Sequence, residues 1–486
     1  MNGSELHGLS CLFCLSENLE LAKNERSIHC TACHQKYAVF DQRIPLLLAD
    51  STEYAANTYK QYALHLKRYD ADISALRSKK ALREEGAVGT LIQALAHNRA
   101  WLQSVQDKVA ELLAFPDLFT HPPIQQLGSY FNNFSYLRRD WCWTHEGEAE
   151  IKTITEALST LLLKLRTDPQ RALVLGAGTG RVAHELLQHF TDVIAVDISL
   201  TMASQYADVV QQPAHSFYDI NLNNCKVASD QCRLMQATLT PADEGVMAES
   251  NVAHSAVSYV IADARQLPLA NQSVSCVVSV YFTDTIPLSE YLAEIKRVLK
   301  PGGAFLHFGP LEYHFTEMAH ALSKEEIFAV FQREGFEVSS EWEVATRHLY
   351  NPALLAYKTY NNIIFCAVLP PLSVTDEPQI SEKSILAYLP DTLLTATMKV
   401  QSPGQATRQL HLVTASGAEF TVEWPLHRLL YAIDGTTPVD ALIYQSAVTA
   451  CSELGLTEQD VLAFLQSLVL SKVLAITEAH EPCLVD

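Results

Sequence analysis

Two groups of residues have the types and spacing to do chemistry. The first is Cys11, Cys14, Cys30 and Cys33, two Cys-x-x-Cys pairs separated by 15 residues. Each pair sets two thiolates about one turn apart, and together they complete a closed tetrahedral metal site with no open position. They point to structural zinc. A redox pair would need a thioredoxin-like strand and helix, which the surrounding sequence lacks, and disulfides would need an oxidising compartment. The second group is Gly176, Gly178 and Gly180 in Leu175-Gly176-Ala177-Gly178-Thr179-Gly180-Arg181, with Asp197 following at about 20 residues. Glycines there let the backbone approach a ligand closely, and an acid at that distance accepts hydrogen bonds from ribose hydroxyls. A tight strand-to-helix turn uses glycine for steric reasons alone, so the loop needs support from its surroundings.

The elements that must position these residues supply that support. Residues 172–175 are an apolar run that reads as a buried parallel strand. The helix after the glycines puts Val182, Leu186, Leu187 and Phe190 on one side. Residues 193–196 are a second strand ending at Asp197, and residues 259–262 a third, ending at Asp263 and Ala264. Residues 275–280 are a fourth, ending at Val280, with a lip at 281–285 that carries Asp284. Open α/β sheets bind ligands at such strand ends. A helix at 288–299 then leads to Lys300-Pro301-Gly302-Gly303 and a strand at 304–306, a turn common in S-adenosylmethionine enzymes. A dehydrogenase would more often carry a third glycine where Val182 stands. Upstream, Tyr136 and Arg139-Asp140-Trp141 precede a helix at 151–165. Arg-Asp-Trp reads either as an ion pair beside a buried ring or as an arginine fork for a ligand carboxylate. Asp284 reads either as a helix N-cap or as a site acid.

The chain has 486 residues, 48% of them hydrophobic, and a formal charge of −20 from 55 acidic and 35 basic side chains. It is globular, and its charge gives it no general attraction for phosphate backbones. The start lacks the features of a signal peptide, and no apolar run is long enough to span a bilayer, so a cytoplasmic protein is expected, with no membrane partner. Five segments are expected: a zinc ribbon at 1–50, a helical segment at 51–130, the sheet domain at 131–369, a linker at 370–384 and a winged-helix-like domain at 385–486. In the last, alternating strands at 409–414 and 419–424 precede helices, one of them at 461–470, and a strand at 473–476. The 461–470 helix has no arginine or lysine for a nucleic-acid groove, so a peptide or protein contact is expected of this module. Simple packing on the sheet domain is the alternative. The segment between Asp197 and residue 257 has no clear strand–helix rhythm and reads as an insertion.

Several of these stretches together resemble the carnosine N-methyltransferase family. Arg139-Asp140-Trp141 is similar to its R-D-W-S-x-x-G. Tyr281-Phe282-Thr283-Asp284-Thr285 is similar to F-F-I-D-T-A. Residues 302–315, GGAFLHFGPLEYHF, are similar to G-G-x-W-I-N-L-G-P-L-L-Y-H-F. The resemblance covers about residues 131–369, half of the chain. Asp197 stands where the family has glutamate, a change that keeps the ribose role. The C-terminal segment is similar to winged-helix modules, and the first fifty residues to ribbons of bacterial methyltransferases.

The resemblance implies an α/β fold: a class I, Rossmann-like methyltransferase sheet, with the ribbon, the helical segment and a small α+β winged-helix-like domain. It implies S-adenosylmethionine as methyl donor and an imidazole nitrogen of a histidine-containing dipeptide, peptide or small molecule as acceptor. Asp284 would orient the imidazole, with Tyr313, His314 and Tyr360 lining its pocket. Tyr136, Arg139, Gly176, Gly178, Gly180, Asp197, Asp263, Ala264 and Val280 would hold the cofactor. An RNA methyltransferase, suggested by the ribbon, and an inactive scaffold are the rival readings.

Overall fold

The computed structural model describes residues 6, 8–23, 26–78, 85–113, 134–241 and 257–371, and in the C-terminal part 385–388, 393–402, 405–413, 419–423, 430, 433, 461–462, 465–466, 468–469 and 474–477. The chain divides into two compact units, Met1–Pro371 and Leu372–Asp486.

The first unit opens with four short strands, β1 (Leu19–Leu21), β2 (Ser27–Cys30), β3 (Lys36–Phe40) and β4 (Ile44–Leu47). Two long helices follow, α1 (Ser51–Ser78) and α2 (Glu85–Leu113), then α3 (Phe134–Trp141) and α4 (His145–Leu162). Helix α4 begins earlier than the apolar spacing suggests, because the Thr144 side chain accepts the Gly147 N–H and caps it. The alternating part is β5 (Arg171–Leu175), α5 (Arg181–Glu185), β6 (Asp192–Asp197), α6 (Leu200–Gln211), the hairpin β7 (His215–Ile220) and β8 (Cys232–Ala237), β9 (Val257–Ala262), β10 (Val274–Val280), α7 (Leu288–Val298) and β11 (Leu299–Gly309). Helix α8 (Lys324–Arg333) and the antiparallel pair β12 (Glu337–His348) and β13 (Lys358–Val368) complete it.

One eleven-stranded sheet runs β1-β2-β3-β4-β9-β6-β5-β10-β11-β13-β12. Its centre, from β9 to β11, is parallel, and the β11–β13–β12 edge is antiparallel. The central strands are apolar on both faces, as a sheet covered on two sides requires, and β10 is buried throughout. Strand order reverses at β5, between β6 and β10, so ligands are expected at the carboxyl ends of these strands. This is the expected class I methyltransferase sheet. The segment expected as a zinc ribbon, 1–50, continues that sheet: β4 pairs in parallel with β9, Leu46 opposite Ile261 and Leu47 opposite Ala262.

The second unit is described only in its strands and a few further residues. Strand β14 (Ile385–Tyr388) pairs with β18 (Leu474–Thr477), and β15 (Leu393–Ser402), β16 (Gln405–Val413) and β17 (Glu419–Glu423) form a second antiparallel sheet. The expected linker from 372 onward and most of the expected helices of the winged-helix-like module lie outside the described residues, as does 114–130 of the helical segment. No helix among the described residues is long and apolar enough to cross a membrane.

Candidate active site

The glycine loop lies at the end of β5. Gly176 has φ +58°, and a Cβ there would fall 2.5 Å from the Phe282 ring, so only glycine fits. Gly178 has φ +55°, but a Cβ on it would meet nothing within 4 Å. Its side therefore faces open space, which is what a cradle for a ligand requires. The Gly178 N–H donates to Asp197 Oδ2 at 2.8 Å, and Ser199 N–H donates to Oδ1 at 2.7 Å. Burial pushes the Asp197 carboxyl up, and these backbone donors offset part of that. Gly180 caps α5 beneath the Tyr206 ring, which stacks on Tyr259 at 5.2 Å.

Helix α3 is fastened onto this loop. Trp141 Nε1 donates to the Thr179 carbonyl at 2.7 Å, and the Thr179 hydroxyl donates to Asp140. Arg139 is buried, with Nε donating to Asp140 Oδ1 at 2.6 Å and a guanidinium N–H 3.5 Å from Glu150 Oε1. The ion-pair reading of Arg-Asp-Trp is thus realised. Its guanidinium carbon also lies 5.5 Å from the Tyr136 ring centre and 5.9 Å from that of Tyr281.

Glu150 is the hub of a cluster that sequence reasoning missed. It is bonded to His348 Nδ1 at 3.0 Å and accepts the Tyr281 hydroxyl at 3.1 Å and the Leu349 N–H at 2.9 Å. Burial alone would raise its carboxyl, but Arg139, His348 and the Leu349 N–H together hold it below the ordinary value. The His348 ring lies 4.5 Å from Tyr281 and 5.1 Å from Tyr360. Tyr281 has φ +55°, an uncommon conformation for an aromatic residue, at the strand end where Asp284 follows. The strand pattern carries no trace of this turn.

Asp284 is 3% exposed, and its Oδ2 accepts the Glu312 N–H at 3.0 Å. It caps no helix: α7 starts after Pro287, without a side-chain cap. Burial pushes its carboxyl up to about 6. The Asp284 carbonyl accepts the His314 N–H at 2.9 Å, which sets the exposed His314 beside it. Tyr313 donates its hydroxyl to the Leu322 carbonyl at 2.5 Å, so that hydroxyl is engaged within its own loop. The Tyr360 hydroxyl donates to the Glu312 carboxylate, which Lys358 Nζ also approaches at 2.6 Å. Glu312 stands where the resembled motif has its third leucine, and that substitution was the available signal for it.

The structure therefore joins Tyr136, Arg139 and Tyr360 around Tyr281 and His348, and links Tyr360 through Glu312 to Asp284 and His314. Gly176, Gly178, Gly180 and Asp197 form the adjoining lobe. Val280 is buried at the end of β10. Asp263 and Ala264 lie one strand further out. Arg265 clamps both Asp263 oxygens, Nε to Oδ1 at 3.0 Å and a guanidinium N–H to Oδ2 at 2.8 Å, and reaches Glu290 at 3.2 Å.

The four cysteine sulfurs lie within 4.8 Å of one another, with Cys11–Cys33 and Cys14–Cys30 at 3.5 Å. Zn–S bonds of about 2.3 Å in a tetrahedron place sulfurs roughly 3.8 Å apart, so the donor set fits zinc.

The family model of carnosine N-methyltransferase matches residues 116–371, slightly more than half of the chain. The carnosine N-methyltransferase of Mus musculus is 28% identical over 253 residues, which cover 48% of this chain and 60% of that protein. The corresponding protein of Rattus norvegicus is 27% identical over 254 residues, with the same shares of 48% and 60%. The match thus spans about 60% of the length of these relatives. Magnesium protoporphyrin IX methyltransferase from Synechocystis, solved with bound S-adenosylmethionine, is 15% identical, with 50% of this chain and 86% of that one covered and a TM-score of 0.30. At that score the likeness adds nothing to the topology described above.

Proposed function

The chain belongs to the carnosine N-methyltransferase family, and on that premise we propose that it methylates an imidazole nitrogen of a histidine-containing dipeptide, peptide or related small molecule, with S-adenosylmethionine as donor. The observation that carries the imidazole reading is Asp284, a buried carboxylate at the strand end that caps no helix and lies next to His314.

The residues present fit the cofactor. Gly178 leaves a cradle that a Cβ would fill, and Asp197 is held by two backbone donors at the correct strand end for ribose hydroxyls. Tyr136, Gly176, Gly180, Ala264 and Val280 would complete the binding walls. Arg139 and Asp263 would take part only alongside their ion partners Asp140, Glu150 and Arg265. When bound, the cofactor supplies an electrophilic methyl group on a sulfonium sulfur. The protein's task is then positional. Free imidazole is mostly neutral at pH 7, since its pKa is about 6.5. Asp284 would accept the hydrogen of one ring nitrogen, fixing the tautomer and leaving the other lone pair free to attack. His314 and Tyr360 would bound the ring, and the Glu312–Lys358 pair would meet its charged tail.

The direct test is transfer of labelled methyl groups to carnosine, histidine and small histidine peptides. Label on the imidazole supports the reading. Cofactor binding with no imidazole labelled overturns the substrate class and leaves the fold. Substituting Gly178 by valine adds a side chain to the open cradle and to a left-handed backbone. S-adenosylhomocysteine affinity is expected to fall at least roughly tenfold, measured by calorimetry.

We further propose that Cys11, Cys14, Cys30 and Cys33 hold one zinc ion per chain in a structural role. Elemental analysis of the purified chain checks the stoichiometry, and Cys14→Ser is expected to reduce it.

A further inference from the structure

We infer that the metal ribbon is a working part of the cofactor site, and that occupancy of the four-cysteine centre sets the affinity for S-adenosylmethionine. The inference rests on the cofactor reading above and goes beyond it, because a closed structural metal site has no inherent reason to influence a ligand bound at another strand.

Two physical ties carry it. The first runs to the Asp263 turn. Ser10 N–H, beside Cys11, donates to the Pro268 carbonyl at 2.8 Å, and Gln266 Nε2 donates to the Leu12 carbonyl at 3.4 Å. Gln266 N–H in turn donates to the Asp263 carbonyl at 3.0 Å. Tyr37 locks this end of the ribbon: its hydroxyl accepts the Leu12 N–H at 2.9 Å and lies 3.0 Å from Cys11 Sγ. The β4–β9 pairing reaches Ala262, the residue before Asp263.

The second tie runs to the Asp197 turn. Helix α1 follows β4 within a few residues, and from its first turn the Tyr54 hydroxyl donates to the Ile198 carbonyl at 2.5 Å and accepts the Leu200 N–H at 3.2 Å. Those residues flank Ser199, whose N–H holds Asp197. Each tie is backed by continuous packing. Leu46 and Leu48 share a buried cluster with Leu200, against which Tyr54 and Ile198 pack. The first tie lies in a second cluster, in which Leu9, Cys11, Leu12, Tyr37, Val39 and Leu47 join Val196, Ala262, Ala264 and Leu267.

The ribbon's own strands have only three to five residues, so the four-cysteine centre is what ties its two turns to each other and to the sheet edge. Losing the metal would free β4, leave β9 as an open sheet edge and relax both turns. A site that must be reordered on binding has lower affinity. The coupling is reciprocal: if the metal favours the cofactor, the cofactor favours the metal to the same degree.

The test uses the full chain, with S-adenosylhomocysteine and zinc as probes. Three results are expected. Bound S-adenosylhomocysteine slows zinc transfer to a chromogenic chelator. Cys14→Ser, or chelation of the parent chain, lowers S-adenosylhomocysteine affinity roughly tenfold or more. Tyr54→Phe keeps its zinc but loses roughly three- to tenfold in affinity, with faster amide exchange at 197–200. Tyr54→Phe and the chelator rate do not require a foldable cysteine variant. Equal affinity with and without zinc, together with a release rate indifferent to S-adenosylhomocysteine, overturns the inference, and so does a purified chain that contains no zinc. A zinc-loaded chain that binds no S-adenosylhomocysteine at all overturns the cofactor reading itself.

Discussion

Asp284→Asn is expected to bind S-adenosylhomocysteine like the parent chain and to methylate imidazoles about 10²–10⁴-fold more slowly. An amide cannot serve as a purely accepting partner, and it fixes the wrong tautomer as readily as the right one. The parent and the variant also differ in stability, with the opposite sign. Burial raises the folded-state carboxyl to about 6, against about 3.9 for an unfolded chain. Its contribution to stability is thus fully present below the unfolded value and declines as pH rises through the folded one. At pH 7 the folded state carries the cost of an ionised, buried group. Asparagine removes the charge while its side-chain oxygen can still accept the Glu312 N–H. The variant should therefore be more stable at neutral pH, by up to about 3 kcal/mol. A rise in thermal midpoint together with loss of transfer separates a site carboxylate from a structural one, whose loss would lower both. The pH profile provides a second readout. Below pH 6 the parent loses both the ionised carboxylate and the neutral imidazole, so log kcat/KM should fall with a slope approaching 2; the variant should keep a slope near 1. Unchanged transfer in the variant would remove Asp284 from the reaction.

The parts of this site that could be read from sequence are those whose chemistry is local. The Gly176–Gly180 turn needs only its own backbone conformation and the strand before it. Asp197, Asp263 and Asp284 stand at the ends of apolar runs because a buried parallel strand can release a carboxylate only where it leaves the core. Helix α7 was legible from its apolar spacing, and its observed start at Leu288 follows from Pro287. The unread parts depend on partners far away in sequence. Glu150 and His348 are 198 residues apart and meet only because β12 folds back beside α4. The pairing of β4 with β9 depends on a register that no motif records. The β7–β8 hairpin was read as patternless because β8 is mostly exposed, so its alternation is weak even though β7 alternates cleanly. The Arg265 clamp on Asp263 lies in adjacent sequence, yet its meaning changed with geometry. An acid expected to hold the cofactor has both oxygens taken by the neighbouring guanidinium.

Arg139→Ala is expected to cost about 3–5 kcal/mol of stability, the largest effect of any single substitution at this site. The guanidinium is buried between Asp140 and Glu150, and its removal leaves two carboxylates in a low-dielectric surrounding without the cation they share. Burial would lower the arginine's own pKa, but Asp140 and Glu150 hold it above its ordinary value, which is the same attraction seen from the other side. The pH dependence has a defined sign. Glu150 is depressed in the folded state, so its contribution is present above the unfolded carboxyl value and disappears as pH falls through the folded one. Arg139→Ala should flatten that acid limb of the stability curve. The double variant Arg139→Ala, Glu150→Gln removes one stranded charge and should recover part of the loss, as measured by denaturant midpoint at pH 7. It also separates the two roles that this arginine's sequence context suggested. If Arg139 only pairs with its neighbours, the double variant binds S-adenosylhomocysteine in proportion to its recovered fold. If the guanidinium also engages the cofactor carboxylate, stability returns while affinity stays depressed, because the bidentate fork has no substitute among the neighbouring side chains.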